Sequence, residues 1–118
     1  MTDKIVVFST CASPEEAERL AKLMVEEGLA ACASIIPSVR SYYRWQGAVE
    51  TAGECLLVIK SARRQFPALS TLLQRAHSYE VPEVLALPVI AASAPYLAWL
   101  EASVAAPGGT GEDEGAPQ

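Results

Sequence analysis

The feature that most limits the fold of this chain is a pair of long strand-like segments between Leu29 and Lys60, joined at Gln46 and Gly47. Two arms rich in apolar, β-branched and aromatic residues across a short turn predict an antiparallel hairpin. Pro37 cannot donate a ladder hydrogen bond, so we expect a bulge or an edge there. The segment from Val39 to Trp45 should extend beyond the main sheet, and its aromatic side chains then need a covering partner.

A strand and a helix precede the hairpin. Lys4 to Thr10 is a β-branched, aromatic run that predicts a buried strand. Ser13 is placed to cap a helix, Pro14 suits its first position, and Glu16 completes a Ser-x-x-Glu capping box. Ala17, Leu20, Ala21, Met24 and Val25 recur at helical spacing and should face the core. Gly28 can end this helix because glycine adopts a left-handed conformation at low cost.

The second half repeats the pattern of helix and strand. A helix is expected from residues 63–67 until before Pro82, then a strand at residues 84–90 with Pro88 at an edge or bulge, and a final helix from Pro95 to Val104. The order β-α-β-β-α-β plus a helix predicts an α+β, ferredoxin-like sandwich, in which each helix joins strands that can be parallel neighbours.

The last residues differ in composition from the rest. Residues 106–118 contain Gly, Pro and acidic groups but no large apolar side chain, so we expect a disordered acidic tail after one domain at residues 1–105. The formal net charge is −5, and residues 76–118 carry six acidic groups and no Lys or Arg. Such a chain would repel a phosphate backbone, which argues against nucleic-acid binding.

Cysteine usage and hydropathy indicate the compartment. Cys11, Cys32 and Cys55 are odd in number and contain no Cys-x-x-Cys pair, so neither a disulfide framework nor a zinc knuckle is implied. No apolar run approaches the ~20 residues that span a bilayer. A reducing, cytoplasmic location and no membrane partner are therefore expected.

Three stretches of the sequence form a recognisable pattern: LAACASIIPSVRSYYRWQG at 29–47, HSYEVPEVLALPV at 77–89 and YLAWL at 96–100. An Ala-Ala-Cys strand opening, a Tyr-x-Trp-x-Gly hairpin tip and a Tyr-x-x-Pro-Glu segment in this order are specific in combination. Together they resemble the CutA family of divalent-cation tolerance proteins. The resemblance implies a ferredoxin-like subunit that forms a tight homotrimer through long hairpins, similar to the PII signalling proteins. It also implies tolerance to copper and other divalent metals without an enzymatic reaction.

His77 is the only histidine and the first candidate metal ligand. An imidazole with nearby carboxylates can bind Cu(II) or Zn(II), but a histidine just beyond a helix can equally cap its end. The copper ligands of the family, a first-strand cysteine and two adjacent histidines, correspond here to Ser9, Ala76 and His77, so only one is retained. Cys11 lies two residues from Ser9 on the same predicted face and is a second candidate.

Other residues suggest an interface or a cleft. Cys32, Tyr43 and Trp45 lie on the hairpin and are candidate interface residues. The resemblance implies that Lys60, Tyr79 and Glu83 line a cleft between subunits. A PII-like module that senses a small ligand or binds a protein is therefore an alternative to metal tolerance. A hydrolase that uses Cys11 or Cys32 as nucleophile is a third interpretation, and it needs His77 to reach a thiol.

Overall fold

The structure, a computed structural model that describes residues 2–104, contains the elements in the predicted order. They are β1 (Lys4–Cys11), α1 (Pro14–Glu26), β2 (Cys32–Trp45), β3 (Ala48–Ala62), α2 (Phe66–Ala76), β4 (Leu85–Pro88) and α3 (Ala94–Ser103). β4 is shorter than predicted: it pairs with β1 over four residues and ends at Pro88, although the Val89 N–H still donates to the Lys4 carbonyl and the Val89 carbonyl accepts from the Thr2 N–H. The predicted acidic tail, 106–118, lies outside the described residues.

All four strands form one antiparallel sheet in the order β2-β3-β1-β4. The prediction that each helix joins neighbouring strands was wrong. The hairpin pairs β3 with β2 on one side, and β1 pairs with the other side of β3, so β3 separates β1 from β2. In the same way, β1 separates β3 from β4. This split arrangement is the ferredoxin-like fold that the order of elements predicts.

One face of the sheet carries the core. Alternation along β1 turns Ile5, Val7, Ser9 and Cys11 to the same buried face. Helices α1 and α2 cover that face through their fully buried side chains, which include Leu20, Met24, Leu69 and Leu73. Val25 was predicted to face the core but is 41% exposed, because it lies at the margin of the stripe that buries Ala17, Leu20 and Met24.

The opposite face, called the outer face below, is apolar but only partly covered. It consists mainly of Val6, Phe8, Leu56, Val58, Leu85 and Leu87, by strand alternation and register. Helix α3 covers one end, where Leu100 and Val104 pack against Ala31 and Ala62. The β4 side chains Leu85 and Leu87 remain exposed. Within residues 2–104, no helix combines the length and the apolar character that crossing a bilayer requires.

The hairpin has the local geometry that its sequence predicts. Gln46 and Gly47 have φ values of 50° and 84°, which match the left-handed pair of a two-residue hairpin turn. The register shifts between Ile36 and Val39, around Pro37, so the predicted bulge is confirmed. Pairing of β2 with β3 continues to Trp45, beyond the last residue of β1. The arm therefore overhangs the sheet, as predicted.

Candidate metal centre

The end of β1 and the start of α1 bring Cys11 and Glu16 together. Cys11 is the last residue of β1 and is fully buried. Ser13 caps α1 by accepting a hydrogen bond from the Glu16 N–H at 3.2 Å, as predicted. The Glu16 carboxylate does not complete the box on Ser13; it accepts from the Ala12 N–H at 3.3 Å instead. This turn points a nearly buried carboxylate back toward the end of β1.

The same carboxylate binds the loop after α2. Its Oε2 accepts from the Ser78 N–H at 2.6 Å, and its Oε1 accepts from the Ser78 hydroxyl at 3.0 Å. Burial acts to raise the pKa of Glu16, but the hydrogen bonds from Ser78 and Ala12 outweigh it and hold the pKa below its usual value. Glu16 is therefore an ionised group that joins α1 to the segment containing His77.

His77 follows α2 and caps it, because its N–H donates to the Leu73 carbonyl at 3.0 Å. Its imidazole is fully buried, with Nε2 2.8 Å from the Thr10 carbonyl oxygen and Nδ1 accepting from the Tyr79 N–H at 3.0 Å. These partners place the ring proton on Nε2. The capping role and the metal-ligand role are thus compatible: the backbone of His77 caps the helix while its ring enters the core.

Three potential ligand atoms converge at this point. One atom each of Cys11, Glu16 and His77 lie within 4.8 Å of one another, and no other such group of His, Cys, Asp or Glu occurs in residues 2–104. Nitrogen, oxygen and sulfur donors together suit Zn(II) and Cu(II). We call this group the Cys-Glu-His centre.

The hydrogen bonds of the centre decide how a metal would enter. Donation from His77 Nε2 to a backbone carbonyl is the usual support of a metal-ligating histidine, and it leaves Nδ1 as the ligand atom. Nδ1 lies 3.6 Å from Glu16 Oε2. To bind a metal, Nδ1 must exchange the Tyr79 N–H for the ion, which costs one hydrogen bond.

The thiol of Cys11 holds its proton in the metal-free protein. Burial, followed by the negative charge of Glu16, raises the pKa of Cys11 to about 12. Neither ring nitrogen of His77 is bonded to the thiol, since their partners are Thr10 and Tyr79. The structure brings cysteine and histidine together, but it does not form the activated pair that a thiol hydrolase requires.

Ser9 and Ala76, which occupy the positions of two family ligands, have different surroundings. Ser9 is fully buried, and its hydroxyl has no hydrogen-bond partner within residues 2–104. Ala76 has no ligand atom in its side chain, and its carbonyl accepts from Arg19 at 3.1 Å. Glu16 is a candidate ligand that the sequence did not indicate, because the capping-box pattern already explained its position.

Most of the predicted interface and cleft residues lie together. Tyr43, Trp45, Tyr79 and Glu83 line one cleft of about 700 Å³ between the hairpin arm and the loop after α2. Lys60 is not among its lining residues, and its Nζ donates to the Ser34 hydroxyl at 2.9 Å. Cys32 is half-buried and lies beside α3, where it is a hydrogen-bond partner of Tyr96. Burial, followed by this contact with Cys32, raises the pKa of Tyr96. Whether these residues contact a second subunit stays a prediction.

Comparison with known proteins agrees with the fold. Residues 5–103 match the family model described as CutA1 divalent ion tolerance protein. A divalent-cation tolerance protein CutA of Thermus thermophilus is 45% identical over 95 residues, which cover 80% of this chain and 92% of that protein. Protein CutA of Mus musculus is 42% identical over 79% of this chain, which spans about half (52%) of the length of the mouse protein. The crystal structure of CutA from Xylella fastidiosa matches with a TM-score of 0.86 and 36% identity, over 88% of this chain and 100% of that one.

Proposed function

This chain belongs to the CutA1 divalent ion tolerance protein family, and we propose on that premise that it acts in tolerance to divalent metal ions by binding them, without catalysing a reaction. The observation that carries the proposal is the convergence of Cys11, Glu16 and His77 within 4.8 Å. Copper is the preferred ion, because Cu(II) binds a given set of nitrogen, oxygen and sulfur donors more tightly than the other divalent first-row metals. The family description favours this function over a small-ligand or protein-binding module.

The raised pKa of Cys11 supports a binding rather than a catalytic role. A thiol that keeps its proton at neutral pH is a poor nucleophile, whereas a metal ion can displace that proton when it binds. The three cysteines are free, which fits a reducing compartment, and we place the protein in the cytoplasm on that ground.

Assembly into a homotrimer is part of the proposal. The outer face leaves Leu85 and Leu87 exposed, and the overhanging arm leaves Tyr42, Tyr43 and Trp45 exposed. Exposed apolar and aromatic side chains on a sheet face and on a strand arm indicate an interaction surface, and other copies of the chain would cover it.

Calorimetric titration with Cu(II) and Zn(II) tests the metal assignment. Cys11→Ala is the most informative variant, because it removes one ligand without touching the hydrogen bonds of Glu16 and His77. We expect Cys11→Ala to lower the metal affinity at least about tenfold. Even the loss of a residue that only supports a metal ligand typically lowers affinity by about 10- to 100-fold. The matched control is Cys55→Ala, which removes a buried thiol directly opposite Cys11 in the sheet but outside the centre.

His77→Ala should abolish most of the remaining affinity, since it removes the nitrogen donor. Circular dichroism must first show that this variant is folded, because its ring also bonds Thr10 and Tyr79. Affinities equal to that of the wild type in both variants would contradict the assignment.

A further inference from the structure

Cys11 and Cys55 form a pair of thiols in the core, and only Cys11 belongs to the Cys-Glu-His centre. The two residues lie directly opposite each other in the register of β1 with β3. Cross-strand partners turn their side chains to the same face of a sheet, and both residues are buried on the face that α1 and α2 cover. Cys55 is therefore a free, buried thiol next to a candidate metal ligand.

The register places the two thiols within reach of a covalent bond. Residues directly opposite in an antiparallel pair have Cα atoms about 4.5–5.5 Å apart, which lies inside the ~4.4–6.8 Å that a disulfide spans. The two groups also act on each other: burial, followed by repulsion from Glu16 and Cys55, raises the pKa of Cys11 to about 12. A disulfide between Cys11 and Cys55 therefore requires no change of strand register.

The ladder of hydrogen bonds is incomplete around Cys55. Pairing of β1 with β3 ends at Cys11 and Cys55. On the other side of β3, the register of β2 shifts around Pro37, so that β2 has partners for Glu54 and Leu56 but none for Cys55. A ladder that ends on one side and bulges on the other opens locally at a lower cost than its interior does. Cys55 is 4% exposed and Cys11 is 0% exposed, so an oxidant meets Cys55 first.

We propose that Cys11 and Cys55 are a redox-sensitive pair, which an oxidant of the peroxide class joins in a disulfide that removes the sulfur ligand from the Cys-Glu-His centre. Hydrogen peroxide oxidises the Cys55 thiol to a sulfenic acid and leaves one water. The Cys11 sulfur then attacks the Cys55 sulfur, and its proton leaves with the hydroxyl group as a second water. The two electrons that the sulfur atoms lose reduce one peroxide to two waters.

The effect of this disulfide on metal binding rests on the function proposed above. Zn(II) and Cu(II) bind the thiolate form of cysteine, and a disulfide sulfur carries no such charge. The oxidised centre keeps only Glu16 and His77 as ligands. By linkage, a metal ion bound to Cys11 disfavours the disulfide as much as the disulfide disfavours the metal. In a reducing compartment such a bond is transient, so the pair makes metal binding respond to the redox state.

The first measurement is of the disulfide itself, in the full chain after removal of metal with a chelator, so that it does not depend on metal binding. The chain is treated with hydrogen peroxide, its remaining thiols are alkylated under denaturing conditions, and a non-reducing digest is analysed by mass spectrometry. We expect Cys11 linked to Cys55 within one chain and Cys32 alkylated. Digests without this link, or with cross-links only through Cys32, overturn the proposal.

Calorimetric titration with Zn(II), after the peroxide is removed, measures the consequence. Peroxide should lower the affinity of the wild type at least about tenfold, to that of Cys11→Ala, and dithiothreitol should restore it. Cys55→Ala should bind zinc as the reduced wild type does, before and after peroxide, because Cys11 then has no partner for a disulfide. Cys32→Ala is the matched control, which removes a half-buried thiol outside the pair and should respond as the wild type does.

Three results of the titration separate the claims. Equal affinity of oxidised and reduced wild type, with the disulfide present, would contradict the effect on the metal centre. Loss of affinity in peroxide-treated Cys55→Ala that circular dichroism shows to be folded would assign the effect to Cys11 alone and refute the pair. A disulfide in a chain that binds no zinc when reduced would contradict the proposed metal function while confirming that the two cysteines form a redox pair.

Discussion

At the scale of single residues, Glu16 shows where local sequence patterns stop being informative. Ser13 and Glu16 have the spacing of a capping box, and the Ser13 half forms as predicted. The carboxylate instead bonds Ala12 and Ser78, and Ser78 is 62 residues away in the sequence. Cys11 and His77 could be predicted as candidate ligands because few residue types bind transition metals. Glu16 could not, because its role depends on a tertiary contact.

Glu16→Gln should lower the free energy of unfolding by about 1.5–3 kcal/mol, the usual contribution of hydrogen bonds to a charged group. Glutamine keeps the shape but presents an NH₂ group where the carboxylate accepts from Ser78. Urea unfolding measures the change. Glu15→Gln, at the neighbouring exposed position, should stay within about 0.5 kcal/mol of wild type. Equal losses in the two variants would show that the Ser78 contact contributes nothing.

At the scale of elements, local geometry follows from individual residues, whereas strand order follows only from the ferredoxin-like fold class as a whole. Pro37 and the Gln46–Gly47 pair restrict their own backbone, so the bulge and the turn follow from the sequence. The position of β3 between β1 and β2 is set by long-range pairing, such as Val7 with Ile59, which has no local signature.

Helix α3 is attached to the sheet by a group of charges around Lys4. The buried Nζ of Lys4 contacts Asp3 and donates to Glu101 at 2.7 Å. Arg64 also bonds Glu101, at 3.1 Å, and the Val104 carbonyl, at 3.0 Å. The two carboxylates are more than half exposed, so salt screens the charges and the attachment depends on ionic strength.

This attachment should be strongest between pH 4.5 and 10.5. A hydrogen bond from Lys4 holds the pKa of Asp3 below its usual 3.8, and hydrogen bonds from Lys4 and Arg64 hold the pKa of Glu101 below its usual 4.5. The stabilisation that these two carboxylates contribute is therefore lost as pH falls through their lowered pKa values. Burial opposes the charged form of Lys4, but bonds to Asp3 and Glu101 raise its pKa above 10.5, so its contribution is lost as pH rises past that raised value.

Fluorescence of Trp99 on α3, followed against pH in a Trp45→Phe background, measures the attachment. Glu101→Gln should remove part of the acid transition, because the variant has no carboxyl to titrate at that position. An acid midpoint identical to that of the parent would show that Glu101 does not contribute.

At the scale of the whole molecule, the exposed apolar side chains of the outer face favour assembly, which we expect to be a homotrimer. Three chains of 12.5 kDa give a trimer of about 37.5 kDa, which light scattering measures directly. Leu87→Lys places a charge on the outer face and should shift the population to monomers. Val25→Lys is the matched control, because Val25 has the same 41% exposure but lies on α1. A stable wild-type monomer at micromolar concentration would contradict the trimer.

The central claim is that a metal ion binds at the Cys-Glu-His centre, and anomalous diffraction from crystals of the full chain soaked in Zn(II) tests it most directly. Data collected at the zinc edge should show one peak per chain, about 2.0–2.3 Å from Cys11 Sγ, a Glu16 oxygen and His77 Nδ1. His77 Nε2 should still donate to the Thr10 carbonyl. A peak only at surface carboxylates, or no peak at the centre at saturating zinc, would contradict the claim.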